Sequence, residues 1–123
     1  MIINPRAILI VEKEPVMRES LSLILEDEGY RSLPAADAGE AMEHLDREQV
    51  DLVLLDLATG HACPESLFRK LRRRRPELPV LLVSQYDDHE VLVPLMRMGA
   101  AGYLFKPLDF EELIDLLPSY LAR

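Results

Sequence analysis

An α/β fold built on a doubly wound, five-stranded parallel sheet is the architecture this sequence predicts. Three observations carry that expectation. Short apolar runs recur along the chain, segments of helical spacing separate them, and charged or hydroxyl residues follow the runs directly. Continuous rather than alternating apolar character marks strands covered on both faces, as in parallel sheets. Strand–helix alternation then implies right-handed crossovers, with helices on both sides of the sheet.

The elements follow in order. Ala7-Ile8-Leu9-Ile10-Val11 reads as the first strand. Met17, Leu21, Ile24, Leu25 and Glu28 step by three and four as one helix, and Gly29 stops it. Tyr30 to Pro34 is a weaker strand whose proline suits an edge or an end. Asp37 with Glu40 forms a capping pattern ahead of the stripe Ala38, Ala41, Met42 and Leu45. Asp51 to Asp56 is the next buried strand. Pro64 suits a first helical position, with Leu67, Phe68 and Leu71 behind it. The run Arg72 to Arg75 reads as a solvated helix C-terminus, where positive charge complements the dipole. Pro79 to Ser84 and Gly102 to Lys106 are the last two strands, both with continuous apolar character. Between them, Asp87 to Met98 should be helical, but Pro94 should kink that helix or delay its start to near Pro94 itself. Asp109 with Glu112 caps a final helix with the stripe Phe110, Leu113, Ile114 and Leu117, and Pro118 should end or kink it before Tyr120 and Leu121.

The 123 residues suffice for one domain with a sizeable core. Fourteen basic against 22 acidic residues leave a formal charge of −8, which argues against a nucleic-acid-binding face and favours basic partner surfaces. Cys63 is the single cysteine, so no internal disulfide is available and a reducing compartment fits. No apolar run approaches a membrane span, and the N-terminus lacks a signal-peptide pattern. A cytoplasmic protein without membrane contact is the expectation.

Ligands of open parallel sheets bind beyond the carboxyl ends of the strands. The residues at those ends are Glu12, Lys13 and Glu14, then Asp56, then Ser84 and Gln85, then Lys106 and Pro107. Carboxylates, a hydroxyl and ammonium groups thus converge at the ends of four apolar strands. One such residue alone would carry little weight.

On these residues the whole chain resembles a response-regulator receiver domain. Ile8 to Pro15 resembles the family's first strand and acidic pair, and Asp51 to Asp56 its phosphoacceptor strand. Pro79 to Ser84 resembles the strand ending in a hydroxyl, and Gly99 to Pro107 the fifth-strand signature. The resemblance implies a single receiver over residues 1–123, without an output domain, and the sheet order 2-1-3-4-5. It implies a signalling module rather than an enzyme. Asp56 would accept a phosphoryl group from a histidine kinase or a phosphotransfer protein. Glu12 and Glu14 would form the acidic pocket, Ser84 and Lys106 would bind the phosphoryl group, and Lys106–Pro107 would be cis. Tyr103 would switch with Ser84, changing the face formed by helix four, strand five and helix five. That face would also serve a homodimer.

The resemblance breaks in places. Lys13 stands where the family has a carboxylate that ligates Mg²⁺, and an ammonium group has no acceptor. Mg²⁺ binding should therefore be weak or absent, with Glu12, Asp56 and the Ala58 carbonyl as the remaining donors. One expectation is that the Lys13 ammonium borders the metal site and pairs with Asp56; the other is that it points to solvent. Thr59-Gly60 and Cys63-Pro64 occupy the offsets where the family has Met-Pro and Asp-Gly. His61 reads as an exposed loop residue without a partner at ligand spacing, and Cys63 as a small apolar residue near a helix cap. Gln85 replaces a small residue and should restrict access to Asp56.

Two function classes remain open here. One is a phosphorylatable switch; the other is a degenerate receiver acting as a phosphate- and Mg²⁺-independent interaction module. A flavin- or nucleotide-binding relative is disfavoured. The loop Glu12-Lys13-Glu14-Pro15 has no glycine and carries net negative charge, and no G-x-x-x-x-G-K-[ST] pattern is present.

Overall fold

The computed structural model describes residues 4–58, 63–85 and 88–121. Strands β1 (Ala7–Val11), β2 (Arg31–Ala35), β3 (Leu52–Asp56), β4 (Val80–Ser84) and β5 (Gly102–Phe105) alternate with helices α1 (Pro15–Asp27), α2 (Ala38–Arg47), α3 (Pro64–Arg74), α4 (His89–Arg97) and α5 (Phe110–Leu121). All pairings are parallel, in the order β2-β1-β3-β4-β5. The doubly wound sheet and its strand order agree with the expectation.

Every residue of β1, β3 and β4 is buried, which explains their unbroken apolar character. Side chains alternate between two core layers. Leu9, Val11, Val53, Leu55, Val80 and Leu82 point to the layer under α2, α3 and α4. Ile8, Ile10, Leu52, Leu54, Leu81 and Leu104 point to the layer under α1 and α5. Each such fully buried Leu or Ile contributes roughly 1.5–3 kcal/mol of transfer free energy. Pro34 sits on edge strand β2 opposite Ile10, where its missing N–H is tolerated.

Three expectations need correction. Strand β5 is not covered on both faces: it lies at the other sheet edge, and its burial alternates, leaving Tyr103 and Phe105 exposed. Pro94 does not delay α4, which begins at His89 and carries the proline inside it. Buried Leu92 and Leu95 anchor the helix, Pro94 itself is exposed, and the Met98 N–H still bonds the Pro94 carbonyl at 3.0 Å. Nor does Pro118 end α5, which continues to Leu121 because Leu117 and Leu121 are both buried. In each helix a proline removes one donor, and apolar anchoring on either side offsets that loss.

The arginine run is also less solvated than its composition suggests. The Arg72 guanidinium donates to the Leu78 carbonyl and, at 2.8 Å, to the Gly99 carbonyl, with its Cζ 4.9 Å from the Phe68 ring centroid. Arg75 donates to the Leu45 carbonyl at 2.7 Å. These arginines tie the end of α3 to α2 and to the segments that lead into β4 and β5.

Candidate functional site

The site forms where β1, β3, β4 and β5 end side by side. Asp56 closes β3 and is 3% exposed. Its Oδ2 accepts from Lys106 Nζ at 2.7 Å, and its Oδ1 accepts from the Ala58 N–H at 3.0 Å. Lys106 follows β5 and is anchored by its own N–H, which donates to the Ser84 carbonyl at 2.8 Å. Because β4 lies between β3 and β5, the lysine side chain crosses the end of β4 to reach Asp56. The Lys106–Pro107 peptide bond is cis.

Glu12 follows β1, where its N–H donates to the Ala35 carbonyl at 3.0 Å. Its carboxyl is buried and accepts from the Glu14 N–H at 2.9 Å. Burial, and then the hydrogen-bonding contact with Asp56, push the Glu12 carboxyl up to about 7 from an ordinary 4.5, while Lys106 acts in the opposite direction. Ile10, Leu54, Val83, Met17 and Leu108 line the apolar wall beside Glu12, Asp56 and Lys106.

Glu14 is not part of this pocket. It is exposed, and its carboxylate caps α1 by accepting from the N–H groups of Val16 and Met17, at 3.2 and 2.7 Å. Lys13 is exposed as well. Among the described residues the ion pair of Asp56 is with Lys106, so the expected Lys13–Asp56 pairing is not formed. The cause is local: once Glu12 turns inward at the end of β1 and Glu14 caps the helix, the intervening side chain faces out. Arg18, which the sequence reading passed over, fixes this turn. Its guanidinium donates to the carbonyls of Glu12 and Lys13 at 2.9 and 3.1 Å. An arginine one turn into a helix opened by Pro15 was the available signal.

Ser84 is buried at the end of β4, and its hydroxyl donates to the Gln85 carbonyl at 2.9 Å. Gln85 is exposed. Tyr103 points outward, 46% exposed, with its ring centroid 5.2 Å from that of Phe105. Ala58 enters the site through its N–H. Cys63 is exposed at the N-cap of α3 and makes no side-chain capping bond. Thr59, Gly60 and His61 lie outside the described residues.

For a divalent cation this donor set is short. Glu12 and Asp56 supply carboxylates, Glu14 is committed to its helix, and Lys13 offers no acceptor. Among the described residues no group of three His, Cys, Asp or Glu side chains could hold a metal ion. Glu12 and Asp56 are thus the two carboxylates left to hold Mg²⁺, an ion commonly bound through one or two carboxylates with water completing its shell.

A family model for the response regulator receiver domain matches residues 8–118. The chain belongs to the response-regulator receiver family. Members are modules of two-component signalling that generally act without catalysing a reaction of their own, work with histidine kinases or phosphotransfer proteins, and typically bind Mg²⁺ for phosphorylation. This receiver is 33% identical over 120 residues to TcrX of Mycobacterium tuberculosis, a probable transcriptional regulatory protein, covering 98% of this chain and 51% of TcrX. It is 36% identical over 110 residues to the response regulator protein FleR of Pseudomonas aeruginosa, covering 89% of this chain and 23% of FleR. The receiver therefore spans about half of TcrX or less of such relatives. A CheY-like receiver domain protein from Methanospirillum hungatei superposes with a TM-score of 0.90 at 29% identity, over 97% of this chain and 95% of that one. No described helix is long and apolar enough to cross a membrane.

Proposed function

We propose that this receiver is a phosphorylation switch in which Asp56 is the phosphoacceptor. The observation that carries the reading is the buried Asp56 carboxylate, held by Lys106 at 2.7 Å at the carboxyl end of a central strand. In transfer from a histidine kinase or phosphotransfer protein, an Asp56 oxygen attacks phosphorus, the P–N bond to the donor histidine breaks, and the imidazole leaves and takes up a proton. The Lys106 ammonium then pairs with a phosphoryl oxygen. Ser84 leaves the Gln85 carbonyl to donate to the phosphoryl group, and Tyr103 turns inward in step. The α4–β5–α5 face changes as a result and serves as the output or homodimer surface. The switch works as a single receiver unit in the cytoplasm, without nucleic-acid contact of its own and without being an enzyme.

Incubation with a small-molecule phosphodonor tests this reading. One phosphoryl mass should appear on the wild-type chain and be absent from the Asp56→Asn variant. Modification at another residue, or none under any condition, would overturn it.

A second reading rests on Lys13. With a cation replacing a family metal ligand, Mg²⁺ binds weakly, and the domain acts as a phosphate-independent interaction module. Titration with Mg²⁺, followed by tyrosine fluorescence of wild type against a Tyr103→Phe variant, separates the two: no response at any concentration, together with an unmodified Asp56, favours the module.

A further inference from the structure

Helix α3 concentrates positive charge that the phosphorylation site does not use. Arg69, Lys70 and Arg72 to Arg75 are six of the chain's 14 basic residues, and the remaining eight stand against all 22 acidic ones. The fold employs part of this run. Arg72 and Arg75 bond backbone carbonyls, and Arg74 pairs with Asp46 of α2. The helix dipole accounts for the last turn, Arg72 to Arg74, but not for Arg69 and Lys70, which precede it.

Arg69, Lys70 and Arg73 are left over. Buried Leu67, Phe68 and Leu71 set the inner face of α3, and at about 3.6 residues per turn these three cations fall on the opposite face. All three are exposed. Arg69 meets Glu65 only at 3.7 Å, and among the described residues Lys70 and Arg73 take part in no ion pair. Arg73 lies three residues from Lys70 and four from Arg69, so like charges are neighbours on the helix surface, which costs stability. A bound counter-charge offsets that cost.

We propose that this face of α3 docks a carboxylate-rich, extended segment of a partner protein. The surroundings select that occupant among anions. Helix α2, tied to α3 by the Arg74–Asp46 pair, exposes Glu40, Glu43 and Asp46. Packed helices lie about 8–10 Å apart, and charges are screened over about 10 Å at roughly 0.1 M salt. A nucleic-acid duplex or an anionic bilayer is wider than one helix and meets these carboxylates together with the cations. A slim chain laid along the 11 residues of α3, about 16 Å, meets the cations alone. In an extended chain every second side chain recurs at about 6.7 Å, close to the rise of about 6 Å from Arg69 to Arg73. The face does not include Asp56, so this inference stands whether or not Asp56 accepts phosphate.

The test uses the whole chain and a synthetic peptide of about ten residues with glutamate at every second position. A glutamine twin, a short DNA duplex and phosphatidylserine vesicles are the comparisons. The glutamate peptide should bind, more weakly as salt is raised, and should move amide chemical shifts between Ser66 and Arg74. The Lys70→Gln/Arg73→Gln variant should lose about five-fold in affinity, in line with two exposed ion pairs. The Arg6→Gln/Arg31→Gln variant removes the same net charge from exposed positions ahead of β1 and at the start of β2, and should bind like wild type. The proposal is overturned if the glutamine twin binds equally, if the shifts fall outside α3, or if the two double variants bind alike. Tighter capture of the duplex or the vesicles through the same residues, or self-association through α3 in sedimentation, would overturn it too.

Discussion

Lys106 reaches across the end of β4 to place its ammonium 2.7 Å from Asp56, and the two side chains are buried to different degrees. The Lys106 side chain is 23% exposed, whereas the Asp56 side chain is only 4% exposed. Losing the lysine therefore strands a buried carboxylate beside Glu12, while losing the aspartate leaves an ammonium within reach of water. Lys106→Met should cost about 1–3 kcal/mol of stability, and Asp56→Asn should cost less. Urea unfolding of the two variants near neutral pH decides this. Equal losses would show that the pair is not asymmetric.

Glu12 gives the fold a pH dependence of known sign. Its carboxyl lies at about 7 in the folded chain against an ordinary 4.5. The folded state therefore holds a proton that the unfolded chain releases. The resulting stabilisation is complete below 4.5 and is lost as pH rises through about 7. Glu12→Gln carries no titrating proton, so its stability relative to wild type should climb between about pH 5 and about pH 8. A difference that stays flat with pH would contradict the burial and Asp56 contact assigned to this carboxyl.

Gly102 opens β5 beneath the Tyr120 ring. A Cβ at that position would lie 2.3 Å from the Tyr120 hydroxyl and 3.3 Å from a Leu81 methyl. Gly102→Ala should therefore displace Tyr120 and cost about 1 kcal/mol. Tyr120→Ala should relieve most of that cost, giving a coupling readable in a double-mutant cycle of thermal unfolding. Additive losses would mean that the two do not meet.

The sheet was legible because its central strands are covered on both faces and so consist of unbroken apolar runs, as β1, β3 and β4 show. That rule misled at β5, where a short apolar run sits at an edge and Tyr103 and Phe105 face outward. Helix starts were legible where a side chain caps locally, as Asp37 and Asp109 do for the N–H groups of Glu40 and Glu112. A late start at Pro94 and an end at Pro118 were wrongly expected because local propensity omits the burial of Leu95 and Leu121. At the site, which strand ends converge follows from topology and could be read in advance. The direction each side chain takes in the β1–α1 turn could not. That depends on Glu14 capping its helix and on Arg18 gripping two carbonyls, which leaves Lys13 outside and Glu12 inside.

The most direct measurement is the rate at which a small-molecule phosphodonor modifies Asp56 as Mg²⁺ is raised, compared between wild type and Lys13→Asp. The variant replaces the outward-facing ammonium of the β1–α1 turn with a carboxylate that a bound cation can draw inward toward Glu12 and Asp56. Both chains should be modified at Asp56, the variant at roughly ten-fold lower Mg²⁺ or less, given how strongly carboxylate number governs Mg²⁺ binding. Asp56 left unmodified in both chains, or identical Mg²⁺ dependence in the two, would contradict the account.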